Sequence, residues 1–425
     1  MCGGENCEMA RVVLEVDDRW KYNGFFFNHV KRRVALRLAH VRGRRHDCPD
    51  CGAPDQPVHD IRPRKWRHLH VGAYQCYIEA GVPRVKCGEC GKVLMAEVPW
   101  ARPMSRMTRQ MEALLMSQCK RSSIRGVALE YDVSDYRIWH ALKHYVDKAR
   151  KKADLFGVRS VGIDETSTCK GHHYITVVVD AKTGRVIYAC PGRGRETVGS
   201  FAEDLIRHGG DPLAISRVCI DMSPAYISGV EEYLPNAAIV HDKFHVLKLV
   251  NDALDLVRRV EQKIWKFALK KTRYLLLRNR EDLSDANSEK VESLSKLKLK
   301  TGKAYEKKEK LRWIFSSGLT RDEGEPEVWK WVAWAQRSRL EPFVKLNRTF
   351  RRHMDGILAI FDNPGLTNGP SEGINSIIQC AKARARGFRT VENMITIVFL
   401  MTGGLEDLPL SPYKTIRFNC PMMPR

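Results

Sequence analysis

Asp164, Asp221 and Glu372 are carboxylates placed where metal-assisted phosphoryl chemistry would need them. The first two close apolar, strand-like segments, VRSVGID and ISRVCID, and the third opens a helical pattern, NGPSEGINSIIQCAKARARGF. Acids arriving from separate elements can hold two divalent cations roughly 3.5–4 Å apart, clamping the attacking and leaving oxygens of an in-line displacement at phosphorus. Hard oxygen ligands make two Mg²⁺ the expected ions, with Mn²⁺ able to substitute. Each acid also has a plainer role. Glu165 is adjacent to Asp164, and in a strand only one of the pair can face the metals. Asp164 and Asp221 could cap helices, and Glu372 in a first helical turn is favoured by the helix dipole. Asn375, Ser376 and Gln379 give that last helix a polar face, and Lys382, Arg384 and Arg386 beyond it could hold a phosphate backbone. Asp242 and His245, in HDKFHV, and His172 with His173 could line the same site, or merely pack, and stay outside the catalytic set.

A second constellation is made of thiols. CPDCG carries Cys48 and Cys51, and CGECG carries Cys87 and Cys90. Together they supply the four thiolates of one tetrahedral zinc, a closed and therefore structural site. Gly52, Gly88 and Gly91 would relieve the tight turns. The 35 residues between Cys51 and Cys87 exceed the usual spacing. They include LHVGAYQCYIEAGVPRVK, a β-rich stretch able to form a returning hairpin. The alternative is a set of reduced, buried cysteines, the role expected of Cys76. Further on, SSIRGVALEYDVSDYRIWHALKHYVDKAR reads as two helices. Ser122 or Ser123 would cap the first, Tyr131–Val133 would form the turn, and Ser134 would cap a second helix bearing Arg137, His140, Lys143 and His144. That is either a helix-turn-helix whose second helix enters the major groove or an ordinary helical hairpin. Arg137 and Lys143 are the expected DNA contacts.

The elements that must position these groups follow from the rest of the chain. Of 425 residues, 72 are Lys or Arg against 50 Asp or Glu, a net charge of +22. Such a balance favours a polyanionic partner, because each phosphate contact releases condensed counterions. No apolar run approaches the ~20 residues of a membrane helix, and the N-terminus has no signal-peptide core. A cytoplasmic, nucleoid-associated protein without membrane contact is expected. Thirteen cysteines, an odd number with four of them in CxxC pairs, favour metal over disulfides. The expected division is a disordered 1–10, a β-rich zinc ribbon over 11–100 and a helix-turn-helix over 101–152. A catalytic core follows at 153–255, interrupted by a charged helical insertion at 256–340, then resumes at 341–405 before a tail at 406–425. The core reads βββαβαβα, the order of a multidomain α/β protein with a ribonuclease-H-like fold. Its first and fourth strands lie side by side, which would bring Asp164 and Asp221 together.

These residues resemble a known family. GIDETSTCKGHHY, DMSPAYISGVEEYLPNAAIVHDKFHVLKLVNDALDLVRR and LTNGPSEGINSIIQCAKARARGFRTVEN are similar to segments of bacterial insertion-sequence transposases of the ISL3 type. KWRHLHVGAYQCYIEAGVPRVKCGECG and the VPWARPMSRMT after it resemble that family's zinc ribbon and its following link. The resemblance spans about Cys48 to Asn393, with His241 and Cys169 departing from the usual pattern. It implies a DDE transposase in which Asp164, Asp221 and Glu372 hold the metal. Such an enzyme binds double-stranded DNA at the terminal inverted repeats of its element, cleaves, and transfers a strand to target DNA as a homodimer or larger assembly. Two other readings share these modules: an inactive or domesticated DNA-binding regulator, and a structure-selective nuclease.

Overall fold

The computed structural model describes residues 16–169, 171–297, 299–366 and 369–413. The expected disordered segment 1–10 and most of the expected tail lie outside these. The chain forms two compact units, one of residues up to 150 together with those from 405 onward, the other of residues 151–404.

In the first unit, β1 (Trp20–Asn28), β2 (Arg33–His40), β3 (Val58–Arg67), β4 (Gln75–Lys86) and β5 (Val93–Met95) form one sheet, ordered β1-β2-β4-β3 with β5 on β4. The β3–β4 hairpin is the return expected between the two CxxC pairs. Trp20, Trp66 and Trp100 pack edge to face over this sheet, with centroids 4.7 Å (Trp20–Trp100) and 5.5 Å (Trp66–Trp100) apart. Cys76 is fully buried in β4, a core residue as expected. Three helices follow: α1 (Arg109–Cys119), α2 (Ile124–Tyr131) and α3 (Asp135–Lys151). Residues 103–108 are turns and a single bridge from Met107 to Arg67, and the Thr108 side chain caps α1 by accepting from the Met111 amide.

The second unit is built on a five-stranded sheet of β6 (Ser160–Ser167), β7 (Tyr174–Asp180), β8 (Val186–Pro191), β9 (Arg217–Ile220) and β10 (Ala238–His241). Its order is β10-β9-β6-β7-β8, with β6 and β9 parallel and adjacent. Helices α4 (Arg195–Arg207), α5 (Pro224–Tyr233) and α6 (Lys243–Gln262) complete the βββαβαβα order. Parallel neighbours need crossover connections, and α5 supplies one between β9 and β10. The strands read as near-continuous apolar runs because both faces are covered: Val177, Val178 and Val179 are all buried.

Beyond α6 come α7 (Arg273–Leu277), α8 (Asp285–Lys296), α9 (Lys300–Ser316) and α10 (Arg321–Arg337), with no strand among the described residues there. This is the helical insertion, although α6 runs unbroken past residue 256 to Gln262. Despite its charge, the segment has its own place in a core. Trp331 and Val332 are buried with Val250, Leu254 and Ile357. Lys308 is buried too, its ammonium donating to the carbonyls of Leu276 and Arg278 and to Glu309. Helices α11 (Glu341–Arg352), α12 (Met354–Asp362), α13 (Gly369–Ala385) and α14 (Val391–Thr402) return the chain to the sheet.

Candidate active site and DNA-facing elements

Asp164 does not end its strand. β6 runs on to Ser167, because its antiparallel pairing with β7 continues after the parallel pairing with β9 has stopped at Gly162. Asp164 therefore sits just past the end of β9, level with the residue that follows it, which is Asp221. The expected convergence of the first and fourth strands is what brings these two acids near one another. Asp164 is 9% exposed and accepts from the Glu165 amide (2.9 Å) and from Asn375 Nδ2 (2.8 Å). Asp221 uses Oδ1 to accept from the Ser223 amide at 2.8 Å, ahead of α5, so it does serve a local turn. That leaves its second oxygen for other work.

The polar stripe of α13 lies along β6. Asn375 donates to Asp164, Gln379 Nε2 donates to Thr166 Oγ1 (2.5 Å), and Lys382 Nζ donates to the Ser167 carbonyl (2.8 Å). Residues 375, 379 and 382 share one helix face, and residues 164 and 166 share one strand face, so the two periods mesh. This ladder sets Glu372, one turn earlier, at the acidic end of the sheet. Lys382 is thus engaged by β6, whereas Arg384 and Arg386 are exposed at the far end of the helix.

Asp242 and His245 belong to this cluster more closely than their sequence context indicated. Asp242 is 2% exposed and caps α6, and His245 Nε2 stands 3.9 Å from its carboxylate. Burial raises the Asp164 carboxyl above its ordinary range; Asp221 and Asp242 push the same way and His245 opposes them. Burial likewise raises Glu372, with Asp242 next in effect. Burial also raises Glu165, with Asp221 and Asp164 adding to it. Their common location was visible only as an Asp and a His after the strand next to β9. Reading that strand order through to β10 would have found them.

The donor set suits a hard divalent cation. It is all oxygen, it is mutually repulsive, and Glu372 Oε1 and Asn375 Oδ1 are buried with no hydrogen-bond partner among the described residues. Among the described residues, however, only the thiols form a group with every donor atom within 4.8 Å of the others. The three carboxylates share a field without being drawn in to that distance.

Those thiols are Cys48, Cys51, Cys87 and Cys90. Cys48 Sγ is 3.8 Å from Cys90 Sγ, and Cys51 Sγ is 3.5 Å from Cys87 Sγ. Gly52 (φ +75°) and Gly91 (φ +69°) turn the two knuckles, donating back to the Cys48 and Cys87 carbonyls. Gly88 has no positive φ and instead donates its amide to Gln56 Oε1. Main-chain amides of Cys51 and Asp50 lower the Cys48 thiol to about 7, whereas the neighbouring thiols and burial push Cys51 up to about 12 and raise Cys90. The arrangement is that of a structural zinc site.

In the helical part, Ser123 caps α2 by accepting from the Gly126 amide, and Asp132 turns the chain at φ +49°. The Ser134 carbonyl starts α3. Ile138, Ala141, Leu142, Tyr145 and Val146 bury one face of α3, leaving Arg137, His140 and His144 exposed on the other with Lys143 half-buried beside them. The angle is held by a buried ion pair: Glu112, fully buried on α1, accepts from Arg102 Nε (2.9 Å), Ser105 Oγ (2.7 Å) and Tyr145 OH (2.9 Å). A helix-turn-helix with an exposed basic face is consistent with DNA binding.

Comparison with known proteins finds matches over all three parts of the chain. A family model described as "Transposase" matches residues 161–398. One described as "Helix-turn-helix domain of transposase family ISL3" matches 96–146. One described as "zinc-finger of transposase IS204/IS1001/IS1096/IS1165" matches 44–90. The transposase for insertion sequence element IS1557 of Mycobacterium tuberculosis, in two strains, is 30% identical over 442 aligned residues, covering 94% of this chain and 96% of the relative. The transposase for insertion sequence element IS1001 of Bordetella parapertussis is 30% identical over 361, covering 81% and 86%.

Proposed function

Because this chain belongs to the ISL3 family of insertion-sequence transposases, we propose that it cleaves DNA at the ends of its own element and joins the freed end to target DNA. What supports this reading is the register that sets Asp164 level with Asp221 at one end of the β6–β9 pair, with Glu372 near enough for Asp164 to disfavour its charge.

Asp164, Asp221 and Glu372 would hold two Mg²⁺, which supply charge neutralisation at the attacking and leaving oxygens of a phosphodiester. The chain's own groups do the positioning. Asn375 fixes one Asp164 oxygen and the Glu165 amide the other, so the carboxylate has a single orientation. Gln379 and Lys382 anchor α13 to β6 and hold Glu372 in register. In the first reaction, water oxygen bonds to phosphorus, the 3′ oxygen departs, and a proton passes to it to leave a 3′-hydroxyl. In the second, that hydroxyl attacks a phosphodiester of target DNA and a second 3′ oxygen departs. Bond types are conserved, so the same groups can serve both steps. Arg137 and Lys143 on α3 would contact double-stranded DNA at the terminal inverted repeats. Arg384 and Arg386 would meet the backbone near the site, with a lesser role for Lys382. Pairing two DNA ends calls for a homodimer or larger assembly. One structural Zn²⁺ on the four thiols would hold the ribbon.

The test is cleavage of labelled DNA carrying the element's ends, with Mg²⁺, by wild type and Asp221→Asn. Loss of cutting by at least 10²-fold with DNA affinity within twofold of wild type is the expected result. Undiminished cutting would remove Asp221 from the site. DNA binding by both proteins with cutting by neither would favour a regulator.

A further inference from the structure

The hairpin that opens the described chain lies ahead of every residue matched by a family model, the first of which is residue 44. From Arg19 to His46 the sequence holds nine Lys or Arg and no Asp or Glu. Three of these cations pair with acids elsewhere, Arg19 with Asp17, Arg37 with Glu79 and Arg44 with Asp18. Lys21, Lys31, Arg32, Arg33, Arg42 and Arg45 are exposed and make no ion pair among the described residues.

Apolar rings stand among these charges. Phe25, Phe26 and Phe27 are 60%, 51% and 41% exposed on β1, an edge strand. A bulge at Asn23–Gly24, with Gly24 at φ +91°, breaks the β1–β2 register just before them. Phe25 and Phe27 lie on one face, edge to face at 5.1 Å, and the second continues onto His29 and Tyr74. Phe26 lies on the other face under the Arg37 guanidinium. Exposed rings of this size cost free energy in water unless something covers them.

What covers them is indicated by the neighbouring element. Arg33 Nε at the start of β2 donates to Gln75 Oε1 (3.3 Å), and Gln75 Nε2 donates to Asp132 Oδ2 (2.8 Å). Asp132 is the turn between α2 and α3. The turn end of the basic hairpin is therefore joined by two hydrogen bonds to the turn that presents α3. A protein partner would need an acidic surface to match this charge. DNA leaving α3 matches it without further assumption.

We propose that the β1–β2 hairpin is a second DNA contact, taking a strand whose bases are unpaired. Lys21, Lys31, Arg32 and Arg42 hold its phosphates, and Phe25 and Phe27 stack on its bases, with Phe26 supporting them from the other face of the strand. Aromatic stacking tolerates any base, since every base has a π face, and basic residues alongside track the backbone. The placement rests on α3 facing DNA; the ring chemistry does not.

The test uses the full chain and two fluorescein-labelled probes of one arbitrary sequence, a 30-nucleotide single strand and the matching duplex. The triple variant Phe25→Ala/Phe26→Ala/Phe27→Ala should lose at least tenfold in affinity for the single strand and less than twofold for the duplex. Lys31→Ala/Arg32→Ala should lower the salt dependence of single-strand binding by about 1.4 in log–log slope, at roughly 0.7 per contact. Unchanged single-strand affinity in the triple variant would overturn the proposal, as would equal losses on both probes. A change of oligomeric state with DNA binding intact would also overturn it, assigning the rings to an interface between copies. An Arg137→Ala/Lys143→Ala variant on the same probes separates the two readings. Intact duplex binding there would remove α3 from the interface while leaving the single-strand result to stand or fall alone.

Discussion

Asp164 is held by groups that keep it in place and surrounded by groups that disfavour its charge. Asn375 and the Glu165 amide hold its oxygens, while burial, Asp221 and Asp242 raise its affinity for a proton. Its folded value lies above the unfolded value of 3.8, so the folded state binds the proton more tightly. The stabilising contribution is present below the unfolded value and is lost as pH rises through the folded one. At neutral pH the ionised carboxylate thus works against the metal-free fold. Asp164→Asn keeps an acceptor for Asn375 and removes the charge. In chelator it should raise the melting temperature at pH 7 by about 2–4 °C, the shift produced by 1 kcal/mol in a domain of this size. That gain should vanish as pH falls through the carboxylate range. A lower melting temperature at pH 7 would mean that the charge is satisfied in the folded chain. Cleavage should be lost in the same variant.

At the scale of elements, the meeting of helices with strands depends on a few polar residues rather than on apolar area alone. The α13 stripe of Asn375, Gln379 and Lys382 matches β6 residue by residue, and its spacing was visible in the sequence as a polar face. Its partner was not visible, since nothing in a helix pattern says which strand it crosses. The helix-turn-helix shows the same division. Capping serines and an apolar period marked α2 and α3, yet the fully buried Glu112 looked like one acid among many. It accepts from three side chains, and Arg102 supplies the compensating charge. Arg102→Ala should cost about 3–5 kcal/mol in denaturant unfolding of the full chain, the loss expected when a buried carboxylate keeps its charge without a partner. Arg102→Lys should recover part of it. A loss under about 1 kcal/mol would show that water or another cation reaches Glu112.

At the scale of the whole chain, each compact unit has a core of its own, one over the three tryptophans of the first sheet, the other on both faces of the β10-β9-β6-β7-β8 sheet and into the helical insertion. The four thiols belong to the first unit. Stripping zinc with a strong chelator should therefore lower the melting transition of that unit and leave the second in place, resolving two calorimetric steps. One unchanged transition would argue that the thiols are only buried cysteines. No described helix is long and apolar enough to cross a membrane. The sequence by itself determined the element types, the strand order's consequence for Asp164 and Asp221, and the thiol pairs, because periodicity, apolar runs and short-range spacing are local properties. Tertiary structure alone decided that β6 outruns Asp164 to Ser167, that Lys382 is engaged by Ser167, and that the first hairpin is tied to Asp132. Each of these depends on contacts between residues far apart in the chain, whose energies arise only once the elements have docked.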